Sequence, residues 1–135
     1  MQRVVVDTNV IISSVLSPKG VPAKILEQCF SESLQMVYSA EILTEYKRVL
    51  SYEKLNIAVD TQESIYNAIE EAGIYIKPVV STIQILHEDD RIFYDIAKTS
   101  GATLITGNIK HYPDDPDILT PTQFLELVYK KQGET

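Results

Sequence analysis

The chain is poor in features that several protein classes require. Its single cysteine, Cys29, excludes an internal disulfide framework. Cys29 falls in an apolar-patterned helix, where a buried, inert thiol is expected. There are only two histidines, His87 and His111, and no paired ligand spacing, which argues against a zinc site. No apolar run approaches the ~18 residues that cross a bilayer, and Met-Gln-Arg leads into no secretory-signal layout. A cytoplasmic protein with no membrane partner is therefore expected. There is no Gly-rich phosphate loop, no G-x-S-x-G elbow and no defensible Ser-His-Asp arrangement. Repeats, low-complexity tracts and linkers are missing as well. Positive charge is scarce: 12 Lys and Arg stand against 19 Asp and Glu, for a net charge of -7. That balance argues against a protein that holds nucleic acid through a broad basic face.

What is present fits one ordinary globular domain. The 135 residues are 44% hydrophobic and 23% charged, enough to bury a core. A domain over 1–129 is expected, with 130–135 as a polar, frayed tail. Arg3–Val6 reads as a buried strand because consecutive valines favour a pleated surface. Ser17-Pro18-Lys19-Gly20 breaks the chain, and Pro22 suits the first turn of a helix over 22–30. The reading there is strand, loop, helix. Residues 36–38 form a second strand, after which Ser39 is the N-cap of a helix running to Leu50, with Glu41 in its first turn. A helix over 61–72 is closed by Gly73 as a left-handed cap, and 74–77 form a third strand ending at Pro78. Asp89-Asp90 opens a helix stopped by Gly101. Residues 102–106 form a fourth strand and Ile118-Leu119 a fifth. Thr120 or Thr122 caps a last helix with Pro121 near its start.

Short apolar strands alternating with amphipathic helices predict a three-layer α/β/α, Rossmann-like domain around a mainly parallel sheet of about five strands. Ligands of such folds gather outside the carboxyl ends of the strands, where the strand order reverses. Asp7 follows the first strand at that edge, either as a turn cap or as a site residue. Asp90 stands at the mouth of the helix before the fourth strand, again as an N-cap or a ligand. Glu45 lies at the margin of the apolar stripe made by Ile42, Tyr46 and Val49, pointing either to solvent or to a site. Together the three offer hard oxygen ligands from separate elements, the donor type that Mg²⁺ or Mn²⁺ requires. Bound cations would also cancel part of the negative charge.

Four ordered stretches carry a family likeness: VVVDTNVIISSVL, SAEILTEYKRVL, DDRIFYDIAKTSGATLITGNIKHYP and LTPTQFLE. From Val4 to about Leu127 they resemble the PIN domain, the small metal-dependent nuclease module of VapC-type toxins. The resemblance implies that Asp7, Glu45 and Asp90 are the first, second and third metal-binding acids. It implies that Thr8 and Asn9 hold the first acid in place and that Thr106 lines the site. The fourth acidic position departs from the pattern, being occupied by Asn108, with His111-Tyr112 slightly later. One cation would then be held more easily than two, the second arriving with the substrate phosphate. Asp95, Asp114 and Asp115 are weak substitutes, since Asp95 falls off the face of Ile92 and Ile96 and the other two read as solvated turn residues. Lys19, Arg48 and Lys110 are candidates for contact with an RNA backbone. The resemblance further implies an RNA substrate, a protein antitoxin and a homodimer. Two rivals remain. One is a haloacid-dehalogenase-type phosphatase, for which Asn9 stands where a second Asp is wanted. The other is a catalytically weak PIN-like binding module, with Tyr46, Tyr52 and Tyr66 either on a partner surface or in the core.

Overall fold

Val4, Val5 and Val6 are all fully buried although successive strand residues point to opposite sides, so helices must cover both faces of the sheet. The computed structural model describes residues 2–133. Its sheet contains β1 (Arg3–Val6), β2 (Gln35–Tyr38), β3 (Ile74–Tyr75), β4 (Thr103–Ile105) and β5 (Ile118–Leu119), all parallel, in the order β3-β2-β1-β4-β5. The chain starts in the middle, winds outwards to β3, then crosses back to β4 on the other side of β1. Strand order therefore reverses between β1 and β4, and the residues that leave these two strands meet at the sheet's carboxyl edge. The register pairs Val6 with Ile105, and the Asp7 amide donates to the Ile105 carbonyl at 2.9 Å.

Among the described residues six helices surround the sheet: α1 (Thr8–Leu16), α2 (Val21–Phe30), α3 (Ala40–Leu50), α4 (Val59–Ala72), α5 (Arg91–Ser100) and α6 (Pro121–Gly133). Local chemistry explains several of their ends. Ser39 Oγ accepts from the Ile42 amide at 3.2 Å at the start of α3, with Glu41 in the first turn and Lys47 and Arg48 in the last, each sign matching the helix dipole. At α6 the capping residue is Thr120: its hydroxyl accepts from the Gln123 amide at 3.1 Å while Gln123 Oε1 accepts from the Thr120 amide at 3.0 Å. Gly101 stops α5, as expected, and does so with φ +71°, in the left-handed region. Tyr46, Phe124, Ile11, Ile25, Ile42 and Ile96 are fully buried around the sheet, each worth roughly 1.5–3 kcal/mol of transfer free energy.

Three expectations are corrected. The stretch after Asp7 is not a loop: α1 begins at Thr8 directly behind the strand and is followed by α2. Its residues are mainly β-branched or serine, with no side-chain cap, and α1 is held by burying Val10 and Ile11 rather than by propensity. Gly73 is extended, at φ -86° and ψ 166°, not left-handed. Glycine is required there for space, since a Cβ would lie 2.5 Å from the Ile69 carbonyl oxygen and 3.0 Å from the Tyr38 ring. The last helix runs on to Gly133, so most of the expected tail 130–135 is helical and 134–135 lie outside the described residues. Cys29 is buried, as expected, and burial pushes its thiol up to about 12.

Candidate active site

At the strand-to-helix junction after β1, Asp7 does not serve as a turn cap through its side chain. Its backbone occupies the N-cap position of α1, yet its side chain makes no capping bond. Instead Asp7 Oδ2 accepts two buried hydroxyls, Thr106 Oγ1 at 2.8 Å and Tyr112 Oη at 2.9 Å. Thr106 leaves the end of β4, and Tyr112 follows the short 3-10 turn Ile109–His111. Thr106 Oγ1 also accepts from the Asn108 amide at 3.0 Å, which fixes the hydroxyl's proton towards the carboxylate. Beneath them the Tyr46 hydroxyl of α3 donates to the Val6 carbonyl, pinning the end of β1. Tyr46 is thus a core tyrosine with a satisfied hydroxyl, while Tyr52 and Tyr66 are half-buried beside Arg48 and Lys47.

Asp90 arrives from the other side. It ends a 3-10 turn, Glu88–Asp90, with helical backbone angles and no capping bond, so the N-cap reading fails for it too. Its Oδ2 lies 3.2 Å from His111 Nδ1, and the His111 ring packs on that of His87 with centroids 4.3 Å apart. Burial raises the pKa of Asp7; the Thr106 and Tyr112 hydroxyls oppose that shift and the charge of Asp90 reinforces it. Asp90 is likewise raised by burial, against the opposing effects of His111 and His87 and with a further push from Asp89. Two desolvated carboxylates, one of them raised by the charge of the other, form an anionic pair suited to a positive charge.

The remaining site residues divide. Glu45 sits on α3 next to Tyr46 but turns to Arg48, pairing at 2.7 Å, and Arg48 also bonds the Tyr52 hydroxyl. It therefore does not join Asp7 and Asp90, and among the described residues no three Asp, Glu, His or Cys side chains are gathered as a ready cage for a metal ion. Asn9 was expected to hold Asp7; its Oδ1 accepts instead from the Gly107 amide at 3.2 Å, tying α1 to the loop after β4. The Thr8 hydroxyl is buried without a partner. The side chain of Asn108 is exposed, and its ordered contact is made by its amide. Asp95, read as lying off the packed face, is 3% exposed and bonded to the Ser81 amide at 3.2 Å. The bond from Tyr112 to Asp7 is the contact that sequence reasoning missed; the adjacent pair His111-Tyr112 was the only signal available.

Asp7 and Asp90 nevertheless fit a divalent cation. Both are hard oxygen donors penalised as anions by burial, and Mg²⁺ in particular is held by one or two carboxylates with waters and substrate phosphates completing the shell. The fold and site define a doubly wound α/β domain with an acidic centre at its topological switch. The chain belongs to the PIN-domain family, whose model matches residues 3–110. PIN domains are generally nucleases and typically use divalent metal ions. An uncharacterized protein of Methanocaldococcus jannaschii is 33% identical over 109 residues, covering 78% of this chain and 70% of that protein. The fold is also that of a chain in the VapBC2 complex from Rickettsia felis, solved bound to a DNA fragment from their promoter. The TM-score is 0.58 at 16% identity, over 88% of this chain and 97% of that one. No helix among the described residues is long and apolar enough to cross a membrane.

Proposed function

We propose that this protein is a metal-dependent endoribonuclease and the VapC-like toxin of a toxin–antitoxin pair, working in the cytoplasm. The observation that carries the reading is that the adjacent residues His111 and Tyr112 contact Asp90 and Asp7 respectively, with two hydroxyls orienting Asp7. Asp7 and Asp90 would hold Mg²⁺ or Mn²⁺, and Glu45, one residue from the anchored Tyr46, would join them once released from Arg48. Such an ion acidifies water and neutralises charge developing on a phosphate. Thr106 and Tyr112 keep Asp7 oriented and ionised for that task. Asn9 orders the loop after β4 through Gly107, and the Asn108 amide holds the Thr106 hydroxyl in place. His111, against Asp90, would contact a phosphate oxygen, and Lys19, Arg48 and Lys110 would meet the RNA backbone. A protein antitoxin covering this acidic edge and a homodimer complete the proposal, supported by family membership and by the likeness to a VapBC2 chain.

A binding module of low catalytic power is the second reading, favoured by the Glu45–Arg48 pairing and by Asn108 standing where relatives carry an acid. The phosphatase reading loses its ground to membership of the PIN family. The two surviving readings separate in one assay: cleavage of a mixed panel of structured RNAs by purified protein with Mn²⁺, Mg²⁺ or EDTA. Metal-dependent cutting that disappears in Asp7→Asn establishes the nuclease. Absence of cutting by the wild-type protein under every metal condition favours the binding module.

A further inference from the structure

Residues 76–87 form no regular element, yet they are held closely to α5. Three residues of α5 spaced four apart, Arg91, Asp95 and Thr99, share one face of the helix and all bond this strap. Thr99 Oγ1 accepts from the Val79 amide at 2.9 Å, and Asp95 Oδ2 accepts from the Ser81 amide at 3.2 Å. Arg91 donates to the Ser81 carbonyl at 3.1 Å, to Ser81 Oγ at 2.8 Å and to the Ile83 carbonyl at 2.8 Å, and grips Glu88 at 2.6 Å. The strap then delivers His87, whose carbonyl accepts from the Asp90 amide at 3.0 Å. Thus Asp90 is bounded on one side by its neighbour Arg91 and on the other by the end of the strap that Arg91 and Asp95 hold.

Asp95 is a costly residue for a merely structural bond. It is 3% exposed, and its second oxygen is buried with no partner. A buried carboxylate left half-satisfied costs stability that an apolar residue would not, so its presence calls for a role. We propose that Asp95 is a positioning residue: by anchoring Ser81 together with Arg91, it sets where Asp90 and His87 stand relative to His111 and Asp7. It acts through the strap and touches no reacting group. The inference rests on Asp90 being a metal-binding acid.

The test compares the wild type with Asp95→Ala, Asp95→Asn, Ser81→Pro and Asp90→Asn, all without RNA. Asp95→Asn keeps an acceptor for the Ser81 amide, whereas Ser81→Pro removes the same bond from the half-buried strap, together with the Ser81 Oγ bond to Arg91, and leaves the Asp95 side chain in place. Mn²⁺ binding is measured by titration calorimetry well below each melting temperature, and the His111 ring resonances are followed by NMR in metal-free protein. Removing the bond to the Ser81 amide is expected to weaken Mn²⁺ roughly tenfold in Asp95→Ala and Ser81→Pro, with Asp95→Asn close to wild type. Unchanged Mn²⁺ affinity in both disrupting variants, while Asp90→Asn loses binding, overturns the proposal. If wild type and Asp90→Asn bind Mn²⁺ alike, it is the metal-site reading that has failed. The positioning claim is then decided by NMR. A His111 shift in Asp95→Ala and Ser81→Pro matching that of Asp90→Asn sustains it, and an unmoved resonance refutes it.

Discussion

Tyr112→Phe isolates the contact that sequence reasoning missed. The substitution deletes one oxygen and leaves the ring, so the change is confined to the 2.9 Å bond that Tyr112 donates to Asp7 Oδ2 inside the protein. A hydrogen bond to a charged group contributes about 1.5–3 kcal/mol and one between neutral groups about 0.5–1.5 kcal/mol. For a domain of this size 1 kcal/mol moves the melting temperature by roughly 3–5 °C, so Tyr112→Phe should melt about 5–15 °C lower at neutral pH. In an Asp7→Asn background the same change should cost only the neutral amount, giving a coupling of about 1 kcal/mol in the double-mutant cycle. The sign of the pH dependence is fixed as well. Burial, opposed by Thr106 and Tyr112 and reinforced by Asp90, leaves the folded pKa of Asp7 above its ordinary value of 3.8. Protonation of Asp7 therefore stabilises the fold at low pH, and this contribution is lost as pH rises through the folded pKa. Removing a donor that favours the anion shifts that pKa further up. The gap between wild type and Tyr112→Phe should thus be widest at neutral pH and narrow as pH falls through the folded pKa. Thermal melts across pH read all three quantities. Equal losses in the wild-type and Asp7→Asn backgrounds, or a gap that does not depend on pH, would show that the hydroxyl does not support an ionised Asp7.

Other outcomes follow from the same structure. Gly73→Ala should destabilise by about 1–3 kcal/mol in denaturant titration, because the new Cβ meets backbone at 2.5 Å; Gly101→Ala, where nothing lies within 4 Å, should cost only the left-handed strain of about 1–2 kcal/mol. Arg48→Ala should leave the melting temperature unchanged and tighten Mn²⁺ binding by releasing Glu45; if Mn²⁺ affinity does not move while Glu45→Gln weakens it, the Arg48 pair is not what withholds Glu45. Burial pushes the Asp115 carboxyl up, but the Lys98 ammonium and the Asp117 amide outweigh it and hold the folded pKa below 3.8. That contribution is present above the unfolded pKa and lost as pH falls through the folded value. Lys98→Met should therefore cost about 0.5 kcal/mol at pH 7, small because Lys98 is 44% exposed, and nothing once the pH has fallen below the folded pKa of Asp115. A penalty that persists in acid would assign the loss to packing of the lysine stem.

What the sequence determined by itself are the features written within a few residues of one another. Consecutive valines make a buried strand, Ser39 caps α3, Gly101 stops α5, and alternation of strands with helices implies a parallel sheet whose carboxyl edge receives Asp7. Each follows from steric limits or periodicity acting over a turn or a strand. The tertiary structure decided what depends on distant partners. Asp7 is held by Thr106 and Tyr112, 99 and 105 residues away, and no local pattern specifies those bonds. Formation of α1 rests on burial against its neighbours, and Gly73 is needed because its extended backbone brings the Cβ position against the Ile69 carbonyl of its own helix and the Tyr38 ring of β2. Helical periodicity placed Glu45 at the rim of a packed face, yet its pairing with Arg48 is a choice of rotamer and partner made in three dimensions. Asp95 was misread for the same reason. A helical wheel shows which face a residue lies on, but only the folded chain shows that the strap 76–87 covers that face and turns a carboxylate outside the apolar stripe into a buried anchor.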